Sequence, residues 1–123
     1  MKANELRIGS YFVDYEADPN SNIYFQVEEI SSKGVYFRNC SSWTIFDDLQ
    51  PIPLTEEILL KCGFKEFGED FKLGEYTFNL TLKTLCWGLQ AGCNVINDVD
   101  IVNLHQLQNL YFALTGEELD IKL

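Results

Sequence analysis

The chain is short of the residue types that do most enzymatic chemistry. It has one histidine, His105, so any acid–base or Cys–His mechanism passes through that imidazole or does without one. It has no Gly-rich phosphate loop, no Gly-x-Ser-x-Gly elbow and no His-Glu-x-x-His. Lysine and arginine together number 9 against 19 acidic side chains, a net charge of −10. Such a surface repels phosphate backbones, which need basic side chains to displace their counterions, so direct nucleic-acid binding is not expected. No apolar run approaches the roughly 20 residues that cross a bilayer, and no membrane association is expected. The N-terminus, Met1-Lys2-Ala3-Asn4-Glu5-Leu6-Arg7, has no apolar signal core, which makes the cytoplasm the expected location. The four cysteines (Cys40, Cys62, Cys86, Cys93) form no Cys-x-x-Cys pair, so reduced, mostly buried thiols are expected rather than a disulfide framework or a zinc site. No cofactor and no metal is implied.

What is present reads as a fold. The clearest stretch is Asn103 to Gly116. Asn103 is a helix N-cap, with Gln106 placed to reach back to the cap's N–H, and Val102 and Leu107 occupy the positions of a hydrophobic staple. Gly116 suits the left-handed residue that closes a helix. Leu104, Leu107, Leu110, Tyr111 and Leu114 fall within an arc of about 120°, a core-facing stripe.

Residues 1–54 read as a small all-β unit. A strand follows Gly9 with Tyr11, Val13 and Tyr15 alternating, and an acidic turn region runs from Asp14 to Asn22. A second strand, Ile23 to Ile30, points Ile23, Phe25 and Val27 one way. Ser31-Ser32-Lys33-Gly34 makes a hairpin in which Gly34 is expected to supply a positive φ. Val35 and Phe37 face inward on a third strand, and a fourth, less regular one lies near Trp43 to Leu49. Short meandering strands of this kind resemble a small SH3-like barrel or a curled open sheet.

A linking helix over 55–63 follows Pro51 and Pro53, capped by Thr55, with Glu56 and Glu57 in its first turn, Leu54 and Leu59 as staple and Gly63 as stop. Strands resume at Phe64 to Phe67 and Phe71 to Leu73. Tyr76 to Lys83 is the cleanest alternation, with Tyr76, Phe78, Leu80 and Leu82 on one face. Leu85 to Leu89 and Asn94 to Val99 supply two more strands, and Leu119 to Leu123 an edge strand. The expected architecture is one compact α+β domain, residues 1–123, made of a β-rich unit, the linking helix and a second antiparallel sheet (64–123) covered by helix 103–116.

Two observations bear on function. Phe112 projects about 140° from the centre of the leucine stripe at helical spacing, beside His105, Gln108 and Asn109. A large aromatic among amides and an imidazole on the nominally wet face needs a cover: either the tail or the N-terminal unit packs over it, or these four residues are the candidate partner-binding set. Trp43, beside Ser41, Ser42 and Thr44, is a candidate for a ligand groove. The weaker chemical readings are Asp98 with Asp100 as a divalent-ion pair, Cys86, Trp87 and Cys93 as a thiol patch, and Glu56 with Glu57 as catalytic carboxylates. Solvated strand ends, core filling and ordinary helix-start chemistry explain these as well.

Three blocks resemble a known group. They are Asn4 to Gly9, Pro51 to Glu57 with Leu60 to Phe64, and His105 to Leu119. Their order and content are similar to small uncharacterised proteins of gut Bacteroides-type bacteria, their phages and their prophages. The resemblance implies a protein of phage or mobile-element origin and carries over no catalytic residue. The functional expectation is a non-enzymatic protein-interaction module or accessory factor. The alternatives are an acidic decoy that imitates nucleic acid toward a basic protein, and a small-ligand binding protein or enzyme. Sequence sets no oligomeric state.

Overall fold

The computed structural model describes residues 6–13, 24–38, 43–87, 94–95 and 100–122. The first sheet contains β1 (Tyr11–Val13), β2 (Tyr24–Ile30), β3 (Gly34–Phe37), β4 (Thr44–Ile45) and β5 (Gln50–Pro51). A short 3-10 turn, Phe46–Asp48, separates β4 from β5. The strands pair in the order β4-β3-β2-β1-β5, all antiparallel, so the meander curls until β5 returns beside β1. The result is a curled half-barrel, as the short meandering strands of residues 1–54 lead one to expect. Its interior holds Leu6, Phe12, Val27, Val35, Phe37 and Leu49.

β1 corrects the expected facing of the first strand. Phe12, not its neighbours, is the fully buried side chain of the half-barrel. Tyr11 and Val13 pack on the other face, against the second core. A strand covered on both sides reads as a continuous apolar run, and Tyr11-Phe12-Val13 is one. Tyr15, Ile23 and the acidic turn between them lie outside the described residues.

Helix α1 (Glu56–Lys61) begins as its sequence dictates, with the Ile58 amide donating to Thr55 Oγ1 at 3.2 Å. Lys61 in its last turn lies 3.4 Å from Glu57. The second sheet contains β6 (Lys65–Phe67), β7 (Asp70–Leu73), β8 (Tyr76–Asn79), β9 (Thr84–Trp87) and β10 (Asn94–Val95), paired in sequence order. Phe71, Phe78 and Leu85 are cross-strand neighbours on its inner face and are buried.

The alternation from Tyr76 does not run to Lys83. Asn79 ends the strand: its side-chain oxygen accepts from the Leu82 amide at 2.7 Å, and its carbonyl from the Lys83 amide at 2.8 Å. The chain therefore turns without a glycine, Lys83 taking φ +58°, and Leu82 is left 65% exposed. The tail is not a strand either; through residue 122 it joins the body by Leu119, which is buried, and by a Lys122 amide donating to Lys61 O at 2.9 Å.

Helix α2 (Leu104–Thr115) has the expected termini. Gln106 Oε1 accepts from the Asn103 and Val102 amides, both at 2.9 Å, and Gly116 closes the helix at φ +73°. The Leu104 amide, one of the donors a helix start leaves over, finds Ile52 O at 2.8 Å. Leu104 and Leu107 are fully buried with Phe71, Phe78 and Leu85, and Tyr111 meets Tyr76 edge-on at 6.3 Å. The leucine stripe thus covers the second sheet, although Leu114 at its far end remains 38% exposed. No helix among the described residues is long and apolar enough to cross a membrane.

Candidate functional site

Sequence points to the polar face of α2 as a partner surface, and most of that face is covered. His105 and Gln108 are 4% and 1% exposed. The cover is β1 and the chain leading into it. The His105 ring lies against Phe12, centroids 5.1 Å apart. Gln108 uses its side-chain amide as a strand would use its backbone: Oε1 accepts from the Tyr11 amide at 3.0 Å, and Nε2 donates to Gly9 O at 3.1 Å. Both residues therefore join the helix to the first sheet and present nothing to a partner in this arrangement. Amphipathicity marks that face as polar but cannot say whether water or backbone satisfies it.

Asn109 and Phe112 are engaged by a residue that sequence does not single out, Arg7. Its Nε donates to Asn109 Oδ1 at 2.8 Å, and its Nη2 to the Gln108 carbonyl at 3.1 Å. The guanidinium forks onto Glu118, at 2.6 and 3.3 Å, and its carbon lies 4.4 Å from the centre of the Phe112 ring. Phe112 keeps 40% exposure, with Arg7 lying over its ring. The aromatic that stands out of place on a helical wheel is the floor of an arginine clamp. The available signal is the combination of Phe112 with Asn109 and Glu118 near one end of the helix, but the arginine comes from about a hundred residues upstream.

Removing the clamp tests its weight. Arg7→Ala is expected to cost about 2 kcal/mol, from a charged hydrogen-bond set and a cation–π contact at a partly exposed position. Glu118→Gln, which removes only the exposed ion pair, is expected to cost about 0.5 kcal/mol. Urea denaturation of both variants measures the difference; equal losses would show that the ion pair alone carries the clamp.

Trp43 has a different environment. Val35 pairs with Thr44, which places Trp43 beside Tyr36 on the outer surface of the half-barrel, and the two rings touch with centroids 3.7 Å apart. On the other side of Tyr36, Glu29 is its direct cross-strand partner. Carboxylate, phenol and indole therefore form one row across β2, β3 and the start of β4. Ile45, 50% exposed, sits in the next row opposite Gly34, whose missing side chain keeps the floor flat. Trp43 itself is 44% exposed. The arrangement is a shallow platform rather than a groove.

The remaining chemical readings gain little. Burial pushes the Cys62 thiol up to about 12, so it is protonated and inert at neutral pH. Cys86 is half-buried, while Cys40, Cys93 and Asp98 lie outside the described residues, and Asp100 is exposed. Glu56 does interact with a carboxylate, but with Glu66 of β6 rather than Glu57. The hydrogen bond to Glu66, and then the repulsion between the two, raise the Glu56 pKa above its usual value. A raised folded-state pKa gives stability below the unfolded value that is lost as pH rises through the folded one. Glu66→Gln is therefore expected to flatten the loss of stability as pH rises above the ordinary glutamate value of about 4.3. An unchanged profile in titrated thermal melts would show the pair is fully solvated.

A depression of about 640 Å³ lies between the end of α1 and the tail, lined by Lys61, Cys62, Tyr111 and Asp120 among others. Its cysteine is the unreactive Cys62, and its Lys61 is held by Glu57. No protein-family model, curated protein or solved structure matches the chain.

Proposed function

We propose that this chain is a non-enzymatic protein-interaction module that engages its partner with the outer surface of the first sheet. The observation that carries this reading is the exposed Trp43, its ring against the half-buried Tyr36, next to Ile45. The half-exposed indole and the half-exposed isoleucine share one small sheet face, so the apolar surface there is contiguous rather than scattered. Aromatic anchors of this kind carry much of the binding energy at protein interfaces. They also cost little conformational entropy when a neighbouring ring already fixes them. The helix face formed by Phe112, His105, Gln108 and Asn109 is set aside, because Arg7 and β1 occupy it. The resemblance to proteins of phages and their bacterial hosts favours a phage or host protein as the partner, with this chain as an accessory factor.

The test is capture of partners from host lysate by the wild type, by Trp43→Ala and by Ile45→Ser, at low and at raised salt. Both variants alter exposed side chains and are expected to fold normally, which far-UV circular dichroism checks. Loss of the captured proteins in both variants supports the reading. Undiminished capture by the variants puts the interface elsewhere. Capture abolished by salt but untouched by Trp43→Ala favours the acidic decoy.

A further inference from the structure

We infer that the partner presents an arginine from a basic segment, which docks on the row Glu29–Tyr36–Trp43. This rests on the interaction face proposed above and names its chemistry. The row offers a guanidinium its two preferred contacts side by side. Two touching aromatic rings, tilted 49° to one another, offer it electron-rich faces, and a carboxylate on the directly opposite position of the next strand gives it an acceptor. Cross-strand neighbours have their Cβ atoms about 5 Å apart, a span that a planar fork lying on Tyr36 bridges to reach Glu29.

Glu29 is also available. It is exposed, and among the described residues it enters no ion pair and no side-chain hydrogen bond. Arg7 shows the same chemistry inside the molecule, where a guanidinium lies on Phe112 and forks onto Glu118. There the cation is supplied by the chain itself; on the outer sheet face the aromatics and the carboxylate stand, among the described residues, without one.

The charged neighbours of the row favour a cation brought from outside. Glu28, next to Glu29 in β2, is exposed and adds negative charge close by. Lys33 belongs to the hairpin turn at one end of β3. Arg38 lies past the other end, where it lines the depression shared with Gln26 and Tyr11. Neither cation forms a salt bridge with Glu29. The net charge of −10 draws a basic segment toward the molecule from beyond contact range, and the platform then selects arginine over a diffuse cation.

The experiment is a titration of the isotopically labelled full chain with four short peptides of identical length, bearing arginine, lysine, leucine or glutamate at the same positions. The readout is the indole N–H resonance of Trp43, assigned by its loss in Trp43→Ala, together with the Glu29 and Tyr36 amides. The arginine peptide is expected to shift these resonances and to bind about tenfold more weakly to Trp43→Ala, with the lysine peptide weaker than arginine. Glu29→Gln is expected to lose several-fold affinity while leaving the fold intact. Shifts spread over the acidic surface and indifferent to Trp43→Ala would overturn the inference, as would silence at Trp43 with the arginine peptide. A preference of Trp43 for the leucine or glutamate peptide would overturn it too, yet leave the interaction face standing. The lysate comparison tests that face separately.

Discussion

Gln108→Leu is expected to lower stability by about 3 kcal/mol, although leucine nearly matches glutamine in size and suits a helix. The cost falls on backbone groups. Gln108 is buried, and its amide satisfies the Tyr11 N–H and the Gly9 carbonyl together. The carbonyl keeps a second donor, Gln26 Nε2 at 3.2 Å, so it is not stranded by the change. The Tyr11 N–H loses its acceptor in a place where leucine excludes water. A loss of this size lowers the melting midpoint by about 10 °C for a domain of this length. Hydrogen exchange at the Tyr11 amide is the specific readout and should accelerate more than exchange at the β2–β3 hairpin.

Gln108→Glu sharpens the same test. Its carboxylate can accept from Tyr11 but meets the Gly9 carbonyl oxygen without a proton to share. The carboxyl is then held neutral in preference, so its folded-state pKa is raised above the unfolded value of about 4.3. Stability of this variant should therefore rise as pH falls from about 7 toward about 5, whereas Gln108→Leu should show no such recovery. If both variants stay within about 0.5 kcal/mol of wild type, the amide is solvated. The helix face would then be open to a partner after all.

The parts of the fold legible in the sequence are those whose causes are local. Thr55 and Glu56-Glu57 announce α1, and Asn103, Gln106 and Gly116 mark the observed ends of α2. Val35 and Phe37 face inward as alternation requires. The departures have non-local or competing causes. Arg7 acts across a separation of about a hundred residues, on Asn109 of the helix and Glu118 just beyond it, each of which reads locally as ordinary polar surface. The facing of β1 is hidden because both its sides are covered, which erases the alternation that signals it. At Asn79 a side-chain turn overrides an alternating pattern that continues beyond it. Trp43 is visible in the sequence as an oddity, but its platform depends on the β3–β4 register, which no single stretch encodes.

The second large effect is expected at Gly34, and for a reason other than the one the hairpin suggests. Its φ is not positive; the turn is closed by Ser31, whose amide donates to Gly34 O at 2.8 Å and whose hydroxyl accepts from Gly34 N at 3.2 Å. Glycine is required because β4 passes too close. A Cβ at Gly34 would stand 2.3 Å from Thr44 O and 2.9 Å from Ile45 Cα, both backbone atoms that cannot rotate away. Gly34→Ala must therefore push the edge strand outward, at a cost of about 3 kcal/mol, the upper end for overpacking. Gly74→Ala gives the contrast. Gly74 has φ +59° and nothing within 4 Å of an added methyl, so only the left-handed backbone is penalised, by about 1 kcal/mol. The two substitutions should also differ in reach. Displacing β4 carries Trp43 off Tyr36, so Gly34→Ala should shift the Trp43 indole resonance and weaken partner capture, while Gly74→Ala does neither. Equal costs for the two, or a Trp43 signal unmoved by Gly34→Ala, would mean that the platform does not depend on the close passage of β3 and β4.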